Sequence, residues 1–309
     1  MMRDQLSHKI DLSASKIKPY EGFIFLCGGP TDVTSYLPIS IRDAIYRELA
    51  KDPQIDARIR IAEHYKDWSH DSIYRDLVSF ESHLAELSSV IVLSLESAGS
   101  IAELGLFSVI NEFQEKLLVF IESSHYQSPS FIKFGPIDYL EKAHNNNANC
   151  QNWLKKENGK WIFDPDAATQ LQAEMAEAIL ERVRKPTKER QYQRAGWLDN
   201  ALLMCDLISL NSALTVREIR DLFNKFGIPK TENEVRQTLF LLEKVDLVAM
   251  EPKGDQRFFV CRDARQFLHF HLLDAHFDLN RFRSDMLAEY EKNDKKRFRA
   301  IQESRKKYA

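Results

Sequence analysis

The sequence predicts an α/β protein in which a parallel-sheet domain is followed by a mostly α-helical domain and a basic C-terminal helix. The chain has 309 residues, which is about twice the ~150 residues of an average domain, so we expect two domains. In the first half, short continuous apolar runs alternate with amphipathic helical patterns. In the second half, three short helical patterns precede two closely spaced apolar runs.

The composition excludes several classes of protein. The chain is 44% hydrophobic and 29% charged, which is typical of a folded globular protein. No run reaches the ~18 apolar residues of a membrane span, and residues 1–18 contain no apolar signal segment, so we expect a cytoplasmic protein without a membrane partner. The cysteines form no Cys-x-x-Cys pair, and His269 and His271 alternate, so we expect neither a disulfide scaffold nor a metal site.

The first domain is predicted to span residues 1–183. The run Phe23–Cys27 is continuously apolar and ends in Gly28 and Gly29, which predicts a buried strand and a tight turn. Further strands are predicted at residues 58–62, 90–95 and 116–121, and helices at residues 41–49, 72–87, 100–113 and 164–183. Because each crossover places its helix against the sheet, this alternation predicts a parallel sheet covered on both faces.

Polar residues follow the predicted strands. They are Gly28-Gly29, Glu63-His64, Glu96-Ser97 and Glu122-Ser123. Ligands bind at the carboxyl ends of parallel strands, so we expect a ligand site there. Gly28 and Gly29 either hold a phosphate with their backbone N–H groups or only form the tight turn that the fold needs.

The second domain is predicted after a basic, Pro-containing linker at residues 184–196. Helices are predicted at residues 197–210, 215–226 and 231–245, the second of them beginning with a Thr215–Glu218 capping box. Apolar runs at residues 247–250 and 257–261 predict a hairpin. Three helices and a hairpin indicate a winged-helix-like domain at residues 197–262, which is followed by a basic helical tail at residues 263–309.

Positive charge is concentrated in the second half of the chain. Residues 1–150 contain 14 Lys+Arg and 21 Asp+Glu, whereas the remainder contains 29 and 25. A basic region is compatible with a polyanionic partner; the alternative is a protein-docking module with a solvated basic face. The candidate nucleic-acid-binding or partner-binding residues are Arg217, Arg220, Lys225, Lys230, Arg236, Lys253, Lys295, Lys296, Arg297 and Arg299.

Residues 97–105 contain the main candidate for chemistry. Gly99 allows the backbone to turn sharply after the strand, Ser100 is a candidate helix cap, and Glu103 then falls in the first helical turn. A Glu three residues after a Ser cap is also the reciprocal half of a capping box. Spacing alone therefore leaves Glu103 as either a catalytic or a structural residue.

The same segment carries a family resemblance. Its sequence, SAGSIAELG, resembles the Asp-x-Gly-Thr-x-x-Glu-(Ile/Leu)-Gly signature of nucleoside 2-deoxyribosyltransferases. The similarity is closer to the retron effector proteins, which combine such a domain with a C-terminal DNA-binding-like region. It covers about residues 20–140 and includes the blocks IFLCGG at 24–29, KLL at 116–118 and SFIKFGP at 130–136. The resemblance implies a nucleoside deoxyribosyltransferase-like (flavodoxin/Rossmann-like) fold for the first domain.

The chemistry that the resemblance implies is cleavage of an N-glycosidic bond with Glu103 as the nucleophile. The substrate implied is NAD or a related nucleotide or nucleoside, and no separate cofactor is implied. Ser97 replaces the signature Asp that handles the leaving base, and a hydroxyl is a poor general acid. Either the base needs no proton, as for cationic nicotinamide, or Glu63 or Glu81 supplies it, unless these two are ordinary surface carboxylates.

The resemblance also implies partners. The retron reverse transcriptase and its multicopy single-stranded DNA (msDNA) are expected to hold an anti-phage toxin inactive until phage interference releases it. Enzymes of the transferase family often complete their pocket with a residue of a neighbouring subunit, which is compatible with a homo-oligomer. The alternative function is a nucleotide-sensing, winged-helix DNA-binding regulator without catalysis, in which Glu103 only caps a helix.

Overall fold

The computed structural model describes residues 5–65, 73–262 and 265–308. The chain forms two compact units. The first, here called the sheet unit, comprises Glu21–Lys66 and Val78–Pro186. The second, here called the helical unit, comprises Met1–Tyr20, Asp67–Leu77 and Thr187–Ala309.

The strands and helices have the following bounds. The strands, numbered in chain order, are β1 (Ile10–Ile17), β2 (Phe23–Cys27), β3 (Ile59–Arg60), β4 (Ser88–Ser94), β5 (Leu117–Glu122), β6 (Asn149–Gln151), β7 (Leu154–Glu157), β8 (Lys160–Phe163), β9 (Arg190–Gln191), β10 (Val248–Lys253), β11 (Gln256–Cys261) and β12 (Leu268–Leu272). The helices are Leu6–Lys9, Ile41–Leu49, Pro53–Asp56, Leu77–Glu86, Ala98–Phe107, Asn111–Gln114, Ser123–Gln127, Asp138–His144, Pro165–Arg184, Trp197–Leu210, Val216–Lys225, Glu232–Lys244, Leu279–Asn293 and Lys295–Tyr308. None of the described helices is both long enough and apolar enough to cross a bilayer.

A five-stranded parallel sheet forms the centre of the sheet unit. Its strands have the order β3-β2-β4-β5-β6, and every neighbouring pair is parallel. The predicted α/β class with a parallel sheet is therefore confirmed. The chain moves from β2 to β3 on one side and then crosses back to β4 on the other. The topological switch point, where such sheets bind ligands, lies between the carboxyl ends of β2 and β4.

Apolar side chains cover both faces of this sheet, because neighbouring residues of a strand point to opposite faces. On one face, Ile24 packs in a core with residues of the helices Ile41–Leu49 and Pro165–Arg184. On the other face, the ring of Phe25 lies 6.4 Å from that of Phe107, centroid to centroid. Burial on both faces explains why the sequence of these strands is continuously apolar.

The sheet unit differs from the prediction at its edges. β3 has two residues and passes into a 3₁₀ turn at Ala62–Tyr65, whereas the sequence predicts a strand over residues 58–62. The predicted helix at residues 72–87 is described as Leu77–Glu86, and Ser72 lies outside the described residues. The sequence does not predict β6, because this short edge strand pairs with β5 through its backbone and has no apolar pattern.

The helical unit contains the predicted three helices and hairpin. The helices are Trp197–Leu210, Val216–Lys225 and Glu232–Lys244, and β10 pairs antiparallel with β11. The predicted capping box is confirmed, since the N–H of Thr215 donates to the Glu218 carboxylate at 2.8 Å.

An antiparallel sheet with the order β12-β1-β9 corrects the predicted domain ends. In β12, Leu268 and Phe270 are buried and His269 and His271 are exposed, so this part of the predicted helical tail is a strand with a period of two. β1 pairs with it and therefore groups with the helical unit, whereas the sequence places it in the first domain. β9 lies within the predicted linker. Local patterns do not show such pairings, because the partners are far apart in sequence.

Candidate functional site

The carboxyl ends of β2 and β4 bring predicted site residues together. The N–H of Gly29, just after β2, donates to the carboxylate of Glu96, just after β4, at 2.8 Å. The hydroxyl of Ser97 donates to the carbonyl of Gly28 at 3.2 Å. These contacts lie at the switch point of the sheet, where the strand pattern places a ligand site.

The helix Ala98–Phe107 starts differently from the prediction. Its N-cap is Ser97, whose hydroxyl accepts the N–H of Ser100 at 3.1 Å, while the Ser100 hydroxyl accepts the N–H of Ser97 at 3.2 Å. Ser100 is therefore not the cap, and Glu103 lies in the second turn rather than in the first. Gly99 is helical and has no positive φ, so it does not form the expected sharp turn. The capping explanation for Glu103 is wrong, because the two serines form the whole capping box.

The Glu103 carboxyl group is half-buried and has little compensation for its charge. Its Oε2 atom is buried and has no hydrogen-bond partner among the described residues. Burial and then the charge of Glu63 raise the pKa of Glu103, while a hydrogen bond from the Cys27 thiol and the charge of Arg42 lower it by smaller amounts. A carboxylate in such an environment is more nucleophilic than a solvated one.

Glu81, on the helix Leu77–Glu86, is only 8% exposed. Burial and then the charges of Glu103 and Glu63 raise its pKa to about 8. Glu81 therefore carries a proton at neutral pH. It is not the ordinary surface carboxylate that the sequence leaves as an alternative.

Arg42 and Glu63 form a two-pronged ion pair. The guanidinium of Arg42 donates to both carboxylate oxygens of Glu63, at 3.0 and 2.9 Å. Arg42 is 4% exposed, whereas the Glu63 side chain is 53% exposed. The sequence reasoning missed Arg42. Its signal is an arginine in the first turn of the helix Ile41–Leu49, where the helix dipole disfavours a cation and a tertiary acidic partner is therefore expected.

Cys27 ends β2 beside these acids. Burial, followed by the charges of Glu103 and Glu81, raises the pKa of its thiol well above the ordinary value. The group is therefore a neutral thiol rather than a thiolate nucleophile. Three carboxyl groups, of Glu63, Glu81 and Glu103, thus surround one thiol and one guanidinium.

A cavity of about 290 Å³ opens at the switch point. Gly29, Ser40, Glu96 and Ser97 contribute polar groups to its wall, and the remaining lining residues are Pro30, Ile39, Leu95, His125, Trp153, Leu154 and Phe163. Glu103 does not line this cavity. The structure thus brings Gly29 and Ser97 to the cavity, and Glu63, Glu81 and Glu103 into a neighbouring cluster joined to it through the start of the helix Ile41–Leu49.

The predicted cations of the helical unit fall into two groups. Those exposed to solvent are Arg217, Lys225, Arg236, Lys295, Lys296 and Arg299, and Lys230 is half-buried. Some of the predicted cations form ion pairs: Arg220 with Asp221 and Glu232, Lys253 with Glu303, Lys296 with Asp255 at 2.8 Å and Arg236 with Glu232 at 3.9 Å. Arg297 is 6% exposed and pairs with Glu218, so it is not the surface contact that the sequence predicts. The basic helical run predicts an exposed arginine. The acidic partner that buries it is far away in sequence, so the local pattern does not reveal it.

Comparison with known proteins adds a family. A family model described as the STM3845 retron effector protein matches residues 38–250, more than half of the chain. The chain is 35% identical over 119 residues to the retron Ec86 putative ribosyltransferase/DNA-binding protein of Escherichia coli, which covers 38% of this chain and 37% of that protein. It is 21% identical over 165 residues to the corresponding retron Ec73 protein of Escherichia coli, covering 49% of this chain and 52% of that one. The matches thus span about a third to a half of these relatives. By the extent of the family match, the chain belongs to the STM3845 retron effector family.

Proposed function

We propose that this chain is a retron effector toxin whose sheet unit cleaves the N-glycosidic bond of NAD or a related nucleotide or nucleoside, with Glu103 as the reacting carboxylate. The observation that carries the proposal is the environment of Glu103. The residue has no capping role, one of its oxygens is buried without a partner among the described residues, and its pKa is raised. Perturbed carboxyl groups of this kind cluster at catalytic sites.

The proposed reaction has two displacement steps. The Glu103 carboxylate attacks C1′ of the ribose as the C1′–N bond breaks, which forms a glycosyl ester and releases the base. Water then attacks C1′, which releases the ribosyl group and regenerates the carboxylate, while the proton of the water passes to a neighbouring base. Nicotinamide leaves NAD as a neutral molecule, because its ring nitrogen is cationic while it is bonded to the ribose.

Glu81 is the proposed proton donor for bases that leave as anions. Its pKa of about 8 keeps it protonated at neutral pH, and after donation it is able to accept the proton of the attacking water. Glu63 is the weaker choice of the two predicted acids, because its carboxylate is held in the ion pair with Arg42.

The helical unit is proposed to be a winged-helix-like module that docks the retron reverse transcriptase and its msDNA. The three helices followed by the β10–β11 hairpin support this assignment, as do the exposed cations Arg217 and Lys295. Docking of this nucleoprotein would hold the enzyme inactive until phage interference releases it.

A second candidate is a nucleotide-sensing DNA-binding regulator without catalysis. The second half of the relatives' description, putative ribosyltransferase/DNA-binding protein, favours it. It assigns Glu103 a capping role, however, and Ser97 and Ser100 already fill that role.

The decisive experiment compares base release from NAD and from nucleosides by the native chain, Glu103→Gln and the control Glu112→Gln. Glu112 is an exposed carboxylate on the next short helix. We expect Glu103→Gln to lose on the order of a thousandfold in rate and the control to lose little. An equal, negligible rate in all three proteins would favour the sensor, and toxicity on expression that persists in Glu103→Gln would reject a toxin acting by hydrolysis.

A further inference from the structure

The start of the helix Ile41–Leu49 is occupied by a carboxylate of the chain itself. Glu96 Oε1 accepts hydrogen bonds from the N–H groups of Gly29 and Arg42, at 2.8 and 2.9 Å, and its Oε2 accepts from the N–H of Ile41 at 2.8 Å. We call these three N–H groups, of Gly29, Ile41 and Arg42, the N–H cradle.

Such an arrangement of N–H groups would otherwise suit a phosphate. The first turn of a helix has unpaired N–H groups and a partial positive charge, both of which favour an anion. Here the remaining donor of the turn is also used, since the N–H of Asp43 donates to the Ser40 hydroxyl at 2.9 Å. With Glu96 in place, the cradle offers no free donor to a ligand.

Gly29 is needed for this internal contact. A Cβ at Gly29 would lie 2.8 Å from the Cβ of Ser40 and 2.9 Å from the Cδ of Glu96, both too close for unshifted atoms. The glycine therefore makes room for the Glu96 carboxylate, and this explains its position without a ligand phosphate.

Glu96 also forms part of the wall of the 290 Å³ cavity at the switch point. Trp153 and Phe163 are among the apolar residues on that wall, and no lysine or arginine is among the described residues that line it. A phosphate placed in this cavity would meet the Glu96 carboxylate, with no lysine or arginine on the described part of the wall to bind it. Like charges repel, so a phosphate is disfavoured there.

We propose that Glu96 is a specificity-determining residue that closes the N–H cradle to phosphate, so that the cavity takes an uncharged or cationic group of the substrate in preference to a phosphate ester. The inference deepens the proposed function: among the proposed substrates it favours nucleosides, because the nicotinamide ribose of NAD carries a 5′-phosphate. It rests on the proposed function only for the identity of the substrate. Of the two alternatives for Gly28 and Gly29, this favours the tight turn over a phosphate site, because the N–H of Gly29 already donates to Glu96.

The first test measures thermal unfolding of Glu96→Ala and of the native full-length chain with inorganic phosphate, and with chloride at matched ionic strength. The variant opens the cradle, so phosphate should raise its Tm by about 3 °C or more over chloride, whereas the native Tm should not respond. The control is Glu48→Ala, which removes a carboxylate ion-paired with Lys51 at the other end of the same helix and should behave like the native chain. An equal response of the native chain, or no response of Glu96→Ala, would overturn the inference.

Loss of the internal carboxylate also removes three hydrogen bonds, so a second variant, Glu96→Ser, accompanies the first. Its hydroxyl is able to accept one of the cradle N–H groups and supports folding. Folding of either variant only in the presence of phosphate supports the proposal, because phosphate then replaces the missing anion. Failure of both variants to fold at every phosphate concentration counts against it.

The substrate preference is tested with nicotinamide riboside and nicotinamide mononucleotide, which differ only in a phosphate. We expect the native chain to bind the riboside about tenfold more tightly and Glu96→Ala to lose that preference. Tighter or equal binding of the mononucleotide by the native chain, or no binding of either compound, would overturn the preference. Neither the binding measurement nor the thermal one depends on turnover. Absence of hydrolytic activity would therefore reject the proposed function, while the role of Glu96 would still be tested by these two measurements.

Discussion

The two units each contain a buried arginine, and the two guanidinium groups differ in how completely they are hydrogen-bonded. Arg297 of the helical unit donates to Asp294 at 2.9 Å, to Glu218 at 2.9 Å and to the carbonyl of Ala213 at 3.0 Å, and it lies over two aromatic rings. Arg42 of the sheet unit donates to both carboxylate oxygens of Glu63, while its Nε has no hydrogen-bond partner among the described residues.

The difference separates a structural ion pair from a reactive cluster. Around Arg297 every guanidinium nitrogen has a hydrogen-bond acceptor, so the group fixes the packing of its neighbours. Around Arg42 one cation is hydrogen-bonded to Glu63 and acts on Glu103, yet the pKa values of Glu81 and Glu103 stay raised. Unfavourable interactions between charged groups that persist in the folded state are characteristic of functional sites.

The largest expected effect concerns the stability of the helical unit. Arg297→Ala leaves Glu218 without its buried partner and should lower the free energy of unfolding by about 3–5 kcal/mol. Arg42→Ala should cost less, because Glu63 is largely exposed and Glu81 and Glu103 are able to take up protons. Urea denaturation of both variants at one pH measures the difference, and equal losses would remove the contrast between the two arginines.

The second effect concerns catalysis. If Glu81 donates the proton, Glu81→Gln should lower the rate of purine-nucleoside cleavage by about a hundredfold. The native rate should fall as the pH rises through about 8, where Glu81 loses its proton, and the variant should lose that limb of the profile. Glu86→Gln, on the same helix, is the matched control. A variant that keeps the alkaline limb would assign the proton to another group.

The third effect is the pH dependence of stability. A carboxyl group whose pKa is higher in the folded than in the unfolded state stabilises the fold below its unfolded pKa, and this stability is lost as the pH rises through the folded value. For Glu81 the window extends from 4.5 to about 8. Glu103→Gln removes one of the repelling charges, so at about pH 8 it should be more stable than the native chain by on the order of 1 kcal/mol. Chemical denaturation at both ends of the window checks this, and a variant less stable at the alkaline end would contradict it.

The smallest effect on stability is expected at the exposed cations. Arg217→Ala and Lys295→Ala should each change the free energy of unfolding by less than about 0.5 kcal/mol. If they contact nucleic-acid phosphates, each should reduce the slope of log affinity against log salt by about one. Binding to single-stranded DNA over a salt series tests this, with Arg297→Lys as a buried-site comparison. If the slopes of log affinity against log salt are unchanged, these cations are solvent-exposed residues that do not contact nucleic acid.

Much of the fold follows from local pattern. The apolar runs place β2, β4 and β5 to within a few residues, and the Thr215–Glu218 spacing predicts a real capping box. The functional site is harder to predict from the sequence than the fold. Glu103 is found through its motif, but the serine that caps its helix is Ser97 and not Ser100, because serine is a favoured N-cap at either position and the local sequence does not choose between them.

By itself, the sequence determined the alternation of strands and helices and, through a motif, the position of Glu103 after a strand of the parallel sheet, because hydrophobic period and sequence motifs are local properties of the chain. The tertiary structure decided which charges meet. Contacts between distant segments determine the pairing of β1 with β12 and the burial of Arg297 and Glu81. They also determine the hydrogen bonds from the start of a helix to Glu96, which lies 54 residues after Arg42. Coulomb energy and desolvation act through space, so the chemistry of these groups follows from their neighbours in the folded chain.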